Sequence, residues 1–154
     1  MKIQIYVCGF KIIPMKKTIL ALSVFTLVFA SCKKDSKNEA VTPTKENLTG
    51  TYKMTAGTMT SGGVTTDVFN NDSFTTACQR DDLYKLNADN SYVIQDAGVV
   101  CSPSDDDSGT WSLLSATSID LNGDVGTIKS WNGKTLVVEG TYQNITVSST
   151  YVKQ

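Results

Sequence analysis

Beyond residue 47 the chain alternates apolar and polar residues with a period of two, as half-buried β-strands do. No window there shows the i, i+3, i+4, i+7 spacing of an amphipathic helix. Asn122-Gly123 and Asn132-Gly133 are strong hairpin signals, because both positions of a type I′ turn need a positive φ. The pattern predicts nine candidate strands, at residues 48–56, 64–69, 81–86, 92–100, 109–114, 117–121, 124–131, 134–141 and 145–152.

Successive hairpins of this kind form an antiparallel meander, and about eight such strands can close into an up-and-down β-barrel. A barrel of that size holds either packed side chains or one small ligand. The nine candidate strands are compatible with an eight-stranded barrel if one short strand lies outside the barrel. A β-sandwich is the alternative architecture, and the meander favours the barrel over it.

The hairpin between the third and fourth candidate strands fixes a register. If Asn90 takes the left-handed position of its loop, Leu86 faces Tyr92. If the same register continues along both strands, Cys78 lies opposite the residue before Cys101. A single bulge would bring the two cysteines opposite each other. Their spacing is too wide for a C-x-x-C redox pair. We therefore expect a structural Cys78–Cys101 disulfide at the open end of this hairpin.

The N-terminal segment has the order of a secretory signal. The basic stretch Met15-Lys16-Lys17 precedes an apolar run over 18–30, and the small residues before Cys32 follow. The run is shorter than the roughly 20 residues of a membrane helix. Residues 1–31 are the predicted signal peptide. Within it, residues 1–14 precede the usual Met-Lys start of a signal, which Met15-Lys16-Lys17 provides. We therefore expect either that translation starts at Met15 or that residues 1–14 are lost with the signal.

Phe29-Ala30-Ser31-Cys32 resembles the lipobox of bacterial lipoproteins. The resemblance implies that Cys32 carries a diacylglyceryl group with palmitate-type chains, which anchors the protein to a membrane. An ordinary secreted protein is the alternative. Residues 32–46 are polar and aperiodic, which predicts a flexible tether before a domain over 47–154. Lys33-Lys34 differs from the Asp that retains enteric lipoproteins at the inner membrane, so we expect the outer membrane of the cell envelope, on either face.

Several short motifs over residues 47–154 resemble the lipocalin-like domains of small lipoproteins common in Bacteroidota. Those domains show L-x-G-x-W-K, C-x-x-D-D, an N-x-D-G-T turn, a second Cys and G-x-W. The matching segments here are 48–53 (LTGTYK), 78–82 (CQRDD), 86–92 (LNADNSY), Cys101 and 109–113 (GTWSL). Tyr52 replaces the more usual Trp, and Asn90 replaces Gly. The resemblance implies a barrel whose closed end Tyr52 plugs, and no defined activity.

Composition excludes several function classes. The sequence has no histidine, which excludes Ser-His and Cys-His nucleophile pairs, His bases and His metal sites. No G-x-S-x-G or S-x-x-K motif stands where a nucleophile would need it, and there is no glycine-rich phosphate loop. Asp105–Asp107 lacks EF-hand spacing, so we expect a solvated loop and no metal. Asp81-Asp82 on a strand would point to opposite faces, which makes a poor acid/base pair. We therefore expect that the protein is not an enzyme and binds no cofactor.

From residue 47 onward the chain carries six basic and twelve acidic residues, which argues against a nucleic-acid partner. The predicted function is non-catalytic binding of a small apolar or amphipathic ligand inside the barrel. The cavity candidates are Tyr52, Tyr84 and Trp111, and the alternative for each is a place in the core. The alternative function is an envelope interaction module with a packed core, whose protein or glycan partner the sequence does not identify.

Overall fold

The structure is a computed structural model that describes residues 41–154. The predicted signal peptide, the predicted lipid anchor at Cys32 and the predicted tether up to residue 40 lie outside the described residues. The elements are a short helix, nine strands and one 3-10 turn at Gln79–Asp81. They are α1 (Lys45–Leu48), β1 (Gly50–Ser61), β2 (Val64–Asp67), β3 (Leu83–Leu86), β4 (Ser91–Gln95), β5 (Asp107–Ser115), β6 (Ser118–Leu121), β7 (Asp124–Trp131), β8 (Thr135–Tyr142) and β9 (Ile145–Lys153).

Eight of the strands form a closed antiparallel barrel. They follow the order β1-β3-β4-β5-β6-β7-β8-β9, and β9 pairs back onto β1 to close the sheet. The strand β2 pairs only with the far half of β1, from Thr58↔Asp67 to Ser61↔Val64. The predicted all-β barrel is confirmed, and β2 is its decorating strand.

Part of the predicted tether is folded. Thr44 caps α1 with a capping box that includes Asn47, and the backbone N–H of Val41 donates to the carbonyl of Trp131. Leu48, at the end of α1, is fully buried. The helix is one turn long, too short for the hydrophobic periodicity that sequence analysis uses to detect helices.

The β3–β4 hairpin has the predicted register, with Leu86 opposite Tyr92 and Asn90 at φ 73°. The Cys78–Cys101 disulfide is also confirmed, with 5.3 Å between the Cα atoms. The prediction that the β3–β4 pairing extends through a bulge to the two cysteines is wrong, because β3 begins at Leu83 and β4 ends at Gln95. The bridge instead joins the start of the 3-10 turn to the loop 96–106.

The two ends of the barrel differ. One end carries α1, the turns at 87–90, 116–117 and 132–134, and the C-terminus, and we call it the closed end. The other end carries the loops 68–82 and 96–106 and the turns at 62–63, 122–123 and 143–144, and we call it the mouth. The strand directions place these two groups of connections at opposite ends.

The closed end holds the largest buried side chains. Tyr52 and Trp111 are each 1% exposed, and Trp131 is 3% exposed. The Tyr52 hydroxyl donates to the Leu48 carbonyl at 2.5 Å, which fastens α1 across this end. The Lys153 ammonium lies 5.9 Å from the ring centroids of Tyr52 and Trp131, a cation–π arrangement.

The loop 68–82 at the mouth is organised by Arg80. Its guanidinium donates to the carbonyls of Phe69 and Thr75 and pairs with Asp72 at 2.5 Å. Beside the loop, a Cβ on Gly57 would lie 2.6 Å from Cε of Met54 and 3.3 Å from a methyl of Val68. The start of this loop therefore packs closely over β1 at Gly57.

Candidate ligand cavity

A cavity of about 540 Å³ occupies the barrel interior. Its deepest lining residues belong to the core, namely Tyr52, Leu86, Ile119 and Leu136. It extends toward the mouth between β4, β6, β7, β8 and β9. Its apolar wall includes Ile94, Leu121, Val138 and Val147. The volume lies within the range of about 300–1,000 Å³ that is usual for small-molecule sites.

Two tyrosines form one wall. Tyr84 and Tyr151 pack edge to face with 5.1 Å between ring centroids. Burial raises the pKa of both hydroxyls, and for Tyr84 the neighbouring Tyr151 adds to the effect. Burial likewise raises the pKa of Tyr52 to about 12. All three therefore stay neutral at physiological pH and offer an apolar ring with a hydroxyl.

The structure places two of the three cavity candidates at the cavity. Tyr52 and Tyr84 line it, and Trp111 does not. The Trp111 indole N–H donates to the Asn87 carbonyl at 2.8 Å, so the side chain is held in the closed-end core. The position of Trp111 has a physical reason, since the β3–β4 turn supplies an acceptor for its buried indole.

Sequence reasoning missed several lining residues. Tyr151, Val138, Gly140 and Val147 all line the cavity. The signal for them was present, because positions 136, 138 and 140 share one strand face, as do 147, 149 and 151. What the alternation could not show is which shared face leaves space and which is filled.

Polar groups line one side of the mouth. The Tyr92 hydroxyl donates to Asp107 at 3.0 Å, and the Asn122 amide donates to that hydroxyl at 3.3 Å. Burial, the hydrogen bond to Asp107 and the charge of Asp124 all raise the pKa of Tyr92. Asp107 therefore contacts the Tyr92 hydroxyl directly, and Asp124 lines the same cavity.

A second group of aspartates holds the loop 96–106 in place. Asp81 accepts the backbone N–H of Val99 at 2.9 Å, and Asp96 accepts that of Cys101 at 3.0 Å. Ligand atoms of Asp96, Cys101 and Asp105 lie within 4.8 Å of one another. Because Cys101 is bonded to Cys78, its sulfur is not a thiolate ligand, and two carboxylates remain. Asp82 accepts the backbone N–H of Ala97 at 3.4 Å, so Asp81 and Asp82 connect the hairpin base to the loop while Asp96 holds the loop from within.

Asp82 makes stability depend on pH. It is 2% exposed, and burial together with the nearby Asp105 and Asp96 raises its pKa from 3.8 to about 6. The folded state then binds a proton that the unfolded state releases, so this contribution to stability is lost as pH rises from about 4 through 6. We expect Asp82→Asn to raise the free energy of unfolding at pH 7.5 by about 1 kcal/mol, after allowance for solvent screening. Urea unfolding of the wild type and of Asp82→Asn at pH 5 and pH 7.5 measures this difference in the free energy of unfolding.

Asp106 is the matched control with the opposite sign. Hydrogen bonds from the Asp96 N–H and from Ser104 lower the pKa of Asp106, so its contribution is present above about pH 4 and lost as the pH falls. Asp106→Asn should therefore destabilise the protein at pH 7.5. If both variants shift stability in the same direction, this account of the aspartates is wrong.

Within residues 41–154, no helix has the length and apolar character that a membrane crossing requires. Comparison of the chain with protein-family models, with curated proteins and with solved structures found no match in any of the three.

Proposed function

We propose that the protein is a non-catalytic carrier that binds a small apolar or amphipathic ligand inside its barrel. The observation that carries this proposal is the cavity of about 540 Å³ with a largely apolar wall, open at the mouth. A barrel that served only as an interaction module would be expected to fill this space with side chains. Binding would be driven by transfer of apolar ligand surface from water, at about 25 cal/mol per Å².

We propose further that Cys32 anchors this carrier to the cell envelope, most simply at the outer membrane. The support is the lipobox-like sequence and the apolar run before it. Metabolic labelling with radioactive palmitate in a bacterial host tests this. The label should attach to the wild type and not to Cys32→Ser. Equal labelling of both would contradict the anchor.

Gly140 offers a variant that fills the cavity without disturbing the strand. It lines the cavity, and a Cβ built on it meets no atom within 4 Å. We expect Gly140→Phe to weaken binding of the neutral apolar probe N-phenyl-1-naphthylamine at least tenfold. The reason is that the new ring occupies the space the probe needs. The change in probe fluorescence on titration measures the affinity.

Thr141→Phe is the matched control. Thr141 is the next residue on β8, is exposed, and contacts Thr146 on the outer face. The same ring added there should leave probe affinity unchanged. Equal affinity of wild type and Gly140→Phe would mean that the probe binds elsewhere, and the carrier proposal would fail.

A further inference from the structure

Four neighbouring segments bring polar groups to one side of the cavity mouth. Tyr92 lies on β4, Asp107 on β5, Asn122 in the turn after β6, and Asp124 at the start of β7. All four line the cavity. The remaining wall between them and the closed end is mainly apolar. A ligand that enters this space with an apolar body would therefore leave its polar end beside these four residues.

The charges on this side of the mouth are all negative. Lys85 is the one basic residue of the lining, and it alternates along β3 with the inward-facing Tyr84 and Leu86. Its ammonium is on the outer face, where it donates to Gln95 at 2.6 Å. Within residues 41–154, neither Asp107 nor Asp124 forms an ion pair.

The hydrogen bonds at the mouth also favour a ligand whose head group donates hydrogen bonds. Tyr92 gives its hydroxyl proton to Asp107 and already accepts from Asn122. A carboxylate accepts several hydrogen bonds, so Asp107 and Asp124 keep free acceptor positions. An anionic head group would stand within a few ångströms of two like charges and offer no proton. A protonated amine would meet opposite charges and supply the donors.

We propose that the ligand is an amphiphile whose head group is cationic, such as a protonated amine on an apolar chain. The inference rests on the proposed function and adds to it the sign of the charge on the ligand's head group. The apolar part lies between Tyr84, Tyr151 and Val138. The ammonium lies at the mouth against Asp107 and Asp124. The cavity, rather than the carboxylates alone, defines the site.

The test uses three probes that share one chain and differ in head group, namely decylammonium, decanol and decanoate. Each is titrated below its critical micelle concentration at pH 7.5 against full-length protein loaded with N-phenyl-1-naphthylamine, and displacement is read by fluorescence. Decylammonium should bind at least tenfold more tightly than decanoate. Its advantage should shrink as salt rises, because screening weakens exposed charge pairs.

Variants assign the effect to residues. Asp107→Asn with Asp124→Asn should reduce the affinity ratio of decylammonium to decanoate to about one. Asp89→Asn removes a negative charge at the turn of the closed end, where Asp89 accepts from Ser91, and should keep the wild-type ratio. A ratio that the double variant leaves unchanged, or that Asp89→Asn also abolishes, would overturn the assignment to the mouth.

The outcomes separate this inference from the proposed function. If decanoate binds as tightly as decylammonium or more so, the cationic head group is wrong and the carrier function stands. If neither the naphthylamine probe nor any of the three chains binds, the carrier function itself fails.

Discussion

Replacing Trp111 with alanine should lower the free energy of unfolding by about 3–5 kcal/mol, the range for a large aromatic removed from a core. The side chain is 1% exposed, and its indole donates to the Asn87 carbonyl. Its backbone N–H also donates to the Asn90 carbonyl at 2.7 Å. The variant keeps that backbone bond but leaves a void and loses the indole hydrogen bond to the turn that joins β3 to β4.

Leu114→Ala is the control on the same strand. Leu114 is 55% exposed, so its truncation should cost less than about 0.5 kcal/mol. Urea unfolding followed by tyrosine fluorescence and far-ultraviolet circular dichroism measures both variants. Similar losses in the two would show that Trp111 does not hold the closed end as described.

Removing the disulfide is expected to have the second large effect. The bridge closes a loop between residues 23 apart, which corresponds to about 3 kcal/mol in the chain-entropy estimate. Cys78→Ser with Cys101→Ser should lower the free energy of unfolding by about that amount. The loss should be largest for the loops 68–82 and 96–106, because these are the segments the bridge ties together. Hydrogen exchange resolved by peptide measures that distribution.

The reduced wild-type protein is the control for this pair of substitutions. Reduction breaks the same bond without changing any side chain except the two sulfurs, so its stability should match that of the double variant. If the double variant instead unfolds at the same urea concentration as the oxidised wild type, the bridge does not stabilise this fold.

The strands and their order could be predicted because alternation and turn residues are local signals. The Asn122-Gly123 and Asn132-Gly133 turns separate strands where the structure has them, and the β3–β4 register follows from one turn. The path of the chain between residues 68 and 106 outside the strands could not be predicted. It depends on side-chain hydrogen bonds from Arg80 and to Asp81, Asp82 and Asp96, whose backbone partners follow no periodic pattern in the sequence.

The candidate site could be predicted in kind and only partly in detail. Tyr52 and Tyr84 were identified as aromatic residues on inward faces, and so was Trp111. Whether an inward residue lines a cavity or fills the core depends on what its side chain meets on other elements. The indole of Trp111 meets the Asn87 carbonyl in the turn of the neighbouring hairpin, whereas a Cβ on Gly140 would meet no atom within 4 Å. Alternation along one strand does not describe contacts between elements.

Native mass spectrometry of the full chain, expressed with export so that the disulfide forms, tests the carrier function most directly. Wild-type protein mixed with decylammonium or decanol should show a discrete added mass that denaturation releases, and Thr141→Phe should show it too. Gly140→Phe should give the bare mass. A ligand-binding cavity would be contradicted if Gly140→Phe showed the same added mass. It would also be contradicted if wild-type protein showed only its bare mass with each of the ten-carbon probes.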